Sequence, residues 1–298
     1  MKKEIKNVAA SVRARLINIA DKSKRDYNSI LRLYFQERFL YRVSISKYKQ
    51  KLILKGALLL MKKEISKFRP TKDIDFLGKE IVNEMNECKS VIKEIASIDC
   101  SDGIEFIVDK ITAEKIKEEE EYEGIRIHLP YKMDTIKGYF SIDIGFGDKI
   151  VKCPYEIDYP VMLDFPSPHI LVYSMESVVA EKFEAIVKLN FVSSRMKDFF
   201  DLIFIAERTA FNKETLIEAI QTTFRHRGTN IDDRTVIYEN NFKTNAQKQV
   251  QWSAFIERNK LNPARNFSEV VAKISSFIEP LFNSDKKNNW NYKKWSWE

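Results

Sequence analysis

Two aspartates separated by one residue, Asp73 and Asp75, lie in a segment that alternates polar with apolar side chains. In a β-strand, residues two apart point to the same face, so both carboxylates project together while Ile74 and Phe76 face the core. Two convergent carboxylates on a rigid backbone are the ligands that hard divalent cations need, Mg²⁺ above all. The pair alone is a weak signal, because residues 156–158 alternate in the same way and a solvated strand face explains both.

Small and basic residues precede this pair in the chain. A small-residue turn lets backbone N–H groups approach phosphates closely, and basic side chains counter the phosphate charge. Packing of a helix against a neighbour is the alternative explanation for Gly56. The candidate nucleotide-binding residues of this stretch are Lys55, Gly56, Ala57, Arg69, Thr71 and Lys72.

A third carboxylate, Asp143, lies in a second alternating segment, in which every second residue from Phe140 to Phe146 is apolar. If this strand lies beside the first, Asp143 joins Asp73 and Asp75 in one cluster. Like charges so close repel and raise one another's pKa, so the cluster makes sense only with a cation. An exposed strand aspartate is the alternative interpretation.

Lys182 is centred on the apolar face of a helical segment at residues 174–190. At about 100° per residue, the apolar side chains of this segment form one arc, and Lys182 falls inside it, whereas Lys188 falls on the polar side. Such a lysine either extends its ammonium group to the surface or is held there for a function. Binding of a triphosphate is the function that fits.

The next helical segment, residues 196–209, carries two aspartates three residues apart. Asp198 and Asp201 therefore share a helix face. A carboxylate near a helix start also gains from the helix dipole, which explains both residues without a function. Arg195 and Lys197 beside them could contact phosphates or lie in solvent.

The hydrophobic pattern predicts the elements that must position these residues. It predicts two helices within residues 6–45, further helices at 52–61 and 81–95, and strands at 73–76, 104–108, 125–129 and 140–146. From about residue 166 onward the pattern is helical almost throughout. This order predicts an α+β fold with a first domain at residues 1–165 and a helical domain at 166–298. Three prolines between residues 160 and 168 mark the expected linker.

Composition and charge restrict the class of protein. With 298 residues, 44% of them hydrophobic and 31% charged, the chain has the profile of a soluble globular protein. Its three cysteines have no metal-ligand spacing and are expected to be ordinary thiols in a reducing compartment. No signal peptide or membrane span is predicted, so a cytoplasmic location is expected. The net charge of +7 favours a polyanionic partner such as nucleic acid without proving one.

The C-terminal segment, residues 286–298, interleaves tryptophan and tyrosine with lysine. Such a mixture could stack on unpaired bases. It could equally dock its aromatic side chains onto the helical domain, and docking is the favoured interpretation.

Five segments in consistent order resemble the AbiEii-type nucleotidyltransferases, toxins of type IV toxin–antitoxin and abortive-infection systems within the DNA polymerase β-like superfamily. These segments are KGALLL, RPTKDIDF, SIDIGFGD, LVYSMESVVAEKFEAI and SRMKDFFDL, and the resemblance spans roughly residues 8 to 225. It implies a polymerase β-like core, a mixed sheet with flanking helices, followed by a helical C-terminal lobe, with the active site in the cleft between them.

The resemblance also implies roles for individual residues. Asp73 and Asp75 would bind the metal, Mg²⁺ or Mn²⁺, and Lys182 and Asp198 would complete the catalytic site. Asp143 stands where the third metal-binding carboxylate of the superfamily is expected. The candidate nucleotide-binding residues in the later part of the chain are Arg195, Lys197 and Asp201.

One position departs from the family pattern. The small-residue motif commonly reads Gly-Gly or Gly-Ser, and here it is Gly56-Ala57. Alanine keeps the backbone donor but removes a hydroxyl that could bind phosphate. Altered nucleotide affinity is expected, and regulation through that serine is impossible in this chain.

The expected function is metal-dependent transfer of a nucleoside monophosphate from an NTP to an acceptor, with release of pyrophosphate. The resemblance implies RNA as the acceptor, in some relatives the 3′ end of tRNA, and a cognate antitoxin as a partner. Two alternatives stay open. One is transfer to a small molecule of antibiotic type, and the other is a nucleotide- or nucleic-acid-binding protein without catalysis.

Overall fold

A computed structural model of the chain describes residues 7–61, 69–118, 122–261, 265–284 and 286–298. The described chain divides into two units. The first contains residues 7–61, Pro70–Gly147 and Tyr155–Val172, and the second contains Arg69, Asp148–Pro154 and Tyr173–Glu298. The chain therefore leaves the first unit and returns to it, whereas the boundary inferred from the sequence lies at 165/166.

The first unit consists of helices on a sheet. In chain order its elements are α1 (Val8–Ser23), α2 (Tyr27–Ile45), β1 (Leu52–Lys55), α3 (Gly56–Met61), β2 (Asp73–Gly78), α4 (Met85–Ala96), β3 (Glu105–Phe106), β4 (Thr112–Glu118), β5 (Tyr122–Met133), β6 (Ile136–Gly145), β7 (Tyr155–Asp158) and β8 (His169–Val172).

The ends of the first two helices follow from their capping residues. The Asn7 side chain accepts a hydrogen bond from the backbone N–H of Ala10 at the start of α1, and Asp26 accepts one from Ser29 at the start of α2. Between them Lys24 adopts the left-handed conformation that ends many helices, with a φ of 55°. The two helices predicted for this region are confirmed.

The sheet of the first unit mixes parallel and antiparallel neighbours. Its order is β3-β5-β6-β2-β1-β8-β7, with β4 paired to β5 outside this path. The β2–β6 and β1–β8 pairs are parallel, and the remaining pairs are antiparallel. The α+β class, with a mixed sheet and flanking helices, is confirmed.

The core of this unit lies between one face of the sheet and helix α2. Phe35 of α2 stacks on Tyr131 of β5 with ring centroids 3.7 Å apart, and Phe39 contacts Phe140 of β6 edge to face at 5.8 Å. The side chains of β2 and β6 on this face, including Ile74, are buried. Because strand side chains alternate, the polar residues of these strands project from the opposite face.

The prediction of one helix at residues 52–61 is wrong in its first half. Leu52–Lys55 is strand β1, and the helix α3 begins only at Gly56, whose φ of 67° breaks the extended chain. β1 lies between β2 and β8 and all its residues are buried, so residues 52–54 form a continuous apolar run rather than an alternating pattern. Such a run does not distinguish a buried strand from a buried helix.

The second unit is mainly helical. Its elements are α5 (Met175–Leu189), α6 (Met196–Ala206), β9 (Phe211–Asn212), α7 (Lys213–His226), α8 (Thr235–Tyr238), α9 (Asn240–Lys243), α10 (Ala246–Arg258), α11 (Phe267–Ile278), β10 (Asn289–Asn291) and β11 (Ser296–Trp297). Within the described residues, no helix is long and apolar enough to cross a membrane. The three cysteines are free thiols, as predicted.

The C-terminal segment forms a small sheet in the order β11-β10-β9, which the helical pattern did not predict. Trp290 Nε1 donates to the carbonyl of Ala206 at 2.8 Å, and Trp297 Nε1 donates to the carbonyl of Phe277 at 2.9 Å. Both indoles are buried. The prediction that the aromatic residues of this segment dock onto the helical domain is confirmed for Trp290 and Trp297, whereas Tyr292 is exposed.

Candidate functional site

Four neighbouring strands of the first unit carry charged residues in one row. Lys55 at the end of β1 is the register partner of Asp75 on β2, and Asp75 is the partner of Asp143 on β6. Asp143 is in turn opposite Arg126 on β5. Register partners on adjacent strands share a face of the sheet, and here it is the face away from the core. The expected neighbourhood of the two carboxylate-bearing strands is confirmed.

A second polar row lies two residues further along the same strands. Asp73 pairs with Ser141, and Ser141 pairs with His128. The Nδ1 atom of His128 is 3.2 Å from Ser141 Oγ, and its Nε2 atom is 3.3 Å from Glu114 Oε1. Polar side chains therefore continue from β2 to β4 across this face.

Gly56 lies directly against the carboxyl group of Asp75. A Cβ atom at residue 56 would be 2.6 Å from Asp75 Cγ and closer still to Oδ2, and its φ of 67° is one that side-chain-bearing residues rarely adopt. Glycine is thus required here for close approach to Asp75. Helix packing, the alternative interpretation of Gly56, does not account for this contact.

Arg126 forms a bidentate ion pair with Asp143. Its Nε donates to Asp143 Oδ1 at 2.8 Å and its Nη2 donates to Oδ2 at 2.7 Å. These hydrogen bonds raise the pKa of Arg126 above its ordinary value, against the effect of its partial burial. Both oxygens of Asp143 are therefore already engaged by a cation that belongs to the chain.

The candidate metal ligands are Asp73, Asp75 and Asp143. Asp73 and Asp75 have the donor chemistry that a hard cation needs and project from one face of β2. Within the described residues, no three His, Cys, Asp or Glu side chains are grouped to hold a metal ion. Arg126 occupies one lone-pair site on each Asp143 oxygen and leaves the others for a cation, and the role of Asp143 in metal binding stays a prediction.

The second unit contains a buried ionic group centred on Lys182 of α5. Lys182 Nζ is 3.2 Å from Asp198 Oδ1 and 2.6 Å from Asp201 Oδ2, both on α6. The lysine side chain is 12% exposed, and the two aspartates are buried. Lys182 therefore does not extend its ammonium group into solvent. It is held on the apolar face by two carboxylates.

Two arginines complete this group. Arg69 binds Asp201 through Nε and Nη2, each at 2.8 Å, and Arg195 Nε donates to Asp198 Oδ2 at 2.6 Å. Asp198 lies in the first turn of α6, where the helix dipole also favours its negative charge.

The pKa shifts favour the ionised forms of Lys182 and of its two aspartate partners. Burial alone would raise the pKa of Asp198, but the charges of Lys182, Arg195 and Lys197 outweigh it and lower the pKa to about 2. Burial likewise opposes the ionised form of Lys182, yet the two aspartates raise its pKa above the ordinary value. Among the described residues, four cationic side chains surround the two carboxylates, those of Lys182, Arg195, Arg69 and Lys197.

The remaining predicted residues lie at the edges of these groups. Ala57 is buried in α3, and the Thr71 hydroxyl is 3.4 Å from the backbone nitrogen of Asp73. Lys72 and Lys197 are exposed. The predicted residues are thus divided between the two units. The metal-binding candidates lie in the first unit, and Lys182 and its partners lie in the second.

Arg126 and His128 were missed in the sequence. The signal was present, because residues 125–129 alternate and place both side chains on the polar face of β5. What the sequence did not provide was the register that sets Arg126 opposite Asp143.

Comparison with known proteins identifies the family. The family described as "Nucleotidyl transferase AbiEii toxin, Type IV TA system" matches residues 38–273. No curated protein sequence matches. Among solved structures, JHP933 from Helicobacter pylori aligns with a TM-score of 0.47 and 14% identity over 86% of this chain and 92% of that chain. A candidate nucleotidyltransferase from H. pylori aligns with a TM-score of 0.45 and 13% identity over 86% and 95% of the two chains. The family match covers most of the chain, which therefore belongs to the AbiEii nucleotidyltransferase toxins of type IV toxin–antitoxin systems.

Proposed function

We propose that this nucleotidyltransferase depends on a divalent cation, Mg²⁺ or Mn²⁺, and transfers a nucleoside monophosphate from an NTP to the 3′ end of an RNA. The observation that carries the proposal is the pair of carboxylates on one face of β2. Asp73 and Asp75 project from one face of a central strand, and Asp75 has no freedom to move toward Gly56, whose backbone lies against it.

In this proposal Asp73 and Asp75 hold the cation. When bound, a cation in such a site neutralises charge on the transferring phosphate and favours ionisation of the acceptor hydroxyl. Arg126 keeps Asp143 in place beside Asp75 and reduces the repulsion between these two carboxylates.

The ionic group of the second unit is evidence that the substrate is an anion. Its lysine and arginine side chains are of the types that bind phosphate, so they fit a triphosphate better than a neutral ligand. The family resemblance implies catalytic roles for Lys182 and Asp198, and in this proposal their buried ion pair positions the charged residues around it. Because both oxygens of Asp198 are held by cations, we assign phosphate contacts to Arg195 and Lys197, which reach the surface, and assign to Lys182 the placement of the two aspartates.

The RNA acceptor rests on the net charge of +7 and on the family resemblance. A basic surface favours a polyanion, since each phosphate that is neutralised releases counterions. Membership of a type IV toxin–antitoxin family also implies an antitoxin partner.

The experiment that tests the proposal incubates the purified protein with Mg²⁺, total cellular RNA and each of four α-labelled NTPs in turn. Asp73→Asn and Asp75→Asn are compared with Asp158→Asn, a matched control in which an exposed strand aspartate with the same alternating spacing is changed. We expect label in RNA with the wild type and the control alone. Equal labelling by the Asp73 and Asp75 variants would overturn the metal-binding role, and label in a small molecule instead of RNA would support the antibiotic-type alternative.

A further inference from the structure

The polar face of the first-unit sheet continues beyond the carboxylates along β6. Tyr139, Ser141 and Asp143 are successive alternate residues of this strand, so they share one face. At about 3.3 Å per residue, Tyr139 lies roughly 13 Å from Asp143 along the strand. Tyr139 is thus on the same surface as the candidate metal ligands and in line with them.

Tyr139 presents an aromatic ring to solvent on this face. The residue is 62% exposed, although its strand neighbours Phe140 and Ser141 are buried. The ring of His128 packs edge to face against it, with centroids 5.5 Å apart and an interplanar angle of 89°. This contact braces the tyrosine ring on the sheet. Exposed aromatic side chains on a sheet surface are the platforms on which proteins stack unpaired bases.

Two lysines follow Tyr139 on the same face. Lys137 on β6 is the register partner of Lys132 on β5, one alternate step beyond the pairing of Tyr139 with Pro130. Like charges directly opposite each other in a sheet are unfavourable unless an anion lies between them. Glu105 compensates Lys132 only in part, because its carboxylate is 3.7 Å away and the side chains of Lys132 and Glu105 are 44% and 69% exposed.

The order along this face is therefore carboxylates, then Ser141 with His128, then an exposed aromatic ring, then paired lysines. A single-stranded polynucleotide end has the complementary order, with a terminal hydroxyl, a base and then backbone phosphates. We propose that this face, which we name the Tyr139 platform (Arg126, His128, Lys132, Lys137, Tyr139 and Ser141), binds the unpaired 3′ end of the RNA acceptor. The inference rests on the proposed function and specifies how its acceptor is held.

Fluorescence anisotropy with a labelled single-stranded oligoribonucleotide, without NTP or metal, tests the platform. Tyr139→Ala is expected to weaken binding about tenfold, the scale of one lost base stack, while Tyr139→Phe retains the affinity. Tyr155→Ala, which removes another exposed strand tyrosine of the same unit, serves as the matched control. A Lys132→Ala/Lys137→Ala variant is expected to reduce the slope of log affinity against log salt by about 1.4.

Equal affinity of the wild type, Tyr139→Ala and Tyr155→Ala would overturn the platform, and so would equal binding of the same oligonucleotide in a duplex. Because binding is measured without NTP, these outcomes are independent of whether transfer occurs. Label in RNA together with unchanged binding by Tyr139→Ala would leave the proposed function standing and remove the platform. Thermal unfolding of each variant identifies any loss of binding that is due to loss of fold.

Discussion

The backbone of Gly56 lies against the carboxyl group of Asp75, so close that a Cβ atom at residue 56 would be 2.6 Å from Asp75 Cγ. The glycine also has a φ of 67°. Two separate penalties therefore oppose any side chain here: left-handed backbone strain and displacement of a candidate metal ligand. The two penalties can be measured separately, because Gly228 has a similar φ of 63° but no atom within 4 Å of a Cβ added there.

Gly56→Ala is expected to lower Mn²⁺ affinity about tenfold or more, because the new methyl group must push Asp75 out of position. Gly228→Ala carries only the backbone strain, about 1–2 kcal/mol of unfolding free energy, and is expected to leave Mn²⁺ affinity unchanged. Isothermal titration with Mn²⁺ and thermal unfolding measure the two effects. The same Mn²⁺ affinity in both variants would contradict a metal-binding role for Asp75.

Lys182→Met is expected to destabilise the protein by about 3–5 kcal/mol, because it leaves Asp198 and Asp201 buried with fewer cationic partners. Lys188→Met, an exposed lysine on the same helix, is the matched control and should change stability by no more than about 0.5 kcal/mol. Urea unfolding of both variants provides the measurement. If Lys182 served only to bind a triphosphate, the two variants would be equally stable without nucleotide.

The sequence predicted the residues of both groups better than it predicted their partners. The spacing of Asp73 and Asp75 was enough to place them on one face, since strand alternation is a local property. In the same way, the arc of α5 was enough to mark Lys182 as unusual. Neither pattern contained the contact between α5 and α6 that places Lys182 beside Asp198, because packing between helices depends on the whole core.

The errors in the fold have similar physical causes. β1 is buried on both of its faces, so its sequence lacks the alternation of polar and apolar residues that would distinguish it from a helix. The strands β9 to β11 are two or three residues long, too short for any period to show. Arg126 was overlooked because its importance comes from the register between β5 and β6, which no local pattern specifies.

The ionised state of Asp198 predicts how stability changes in acid. Its pKa of about 2 lies below the ordinary 3.8, because the surrounding cations outweigh the effect of burial. The ionised Asp198 carboxylate therefore contributes about 2 kcal/mol to the free energy of unfolding at pH values above 3.8, and this contribution is lost as the pH falls toward 2. When the pH is lowered from 5 to 2, the free energy of unfolding of the wild type should decrease by about 2 kcal/mol more than that of Asp198→Asn. Urea titrations at both pH values check this, with exposed Asp164→Asn expected to follow the wild type.

If a cation binds beside Asp75 as proposed, Arg126 competes with it for Asp143, and removal of Arg126 should strengthen metal binding. Arg126→Gln leaves the Asp143 carboxylate beside Asp75 without its bidentate partner, so Mn²⁺ affinity is expected to rise about tenfold. Titration followed by the electron paramagnetic resonance signal of free Mn²⁺ measures this, and Arg13→Gln, which alters an exposed arginine paired with Asp134, is the control. The double variant Arg126→Gln/Asp143→Asn should return to the wild-type affinity, since the gain requires the carboxylate. A gain that survives in the double variant would mean that Arg126 acts on Asp73 and Asp75 through its charge alone, and no gain at all would mean that Asp143 takes no part in metal binding.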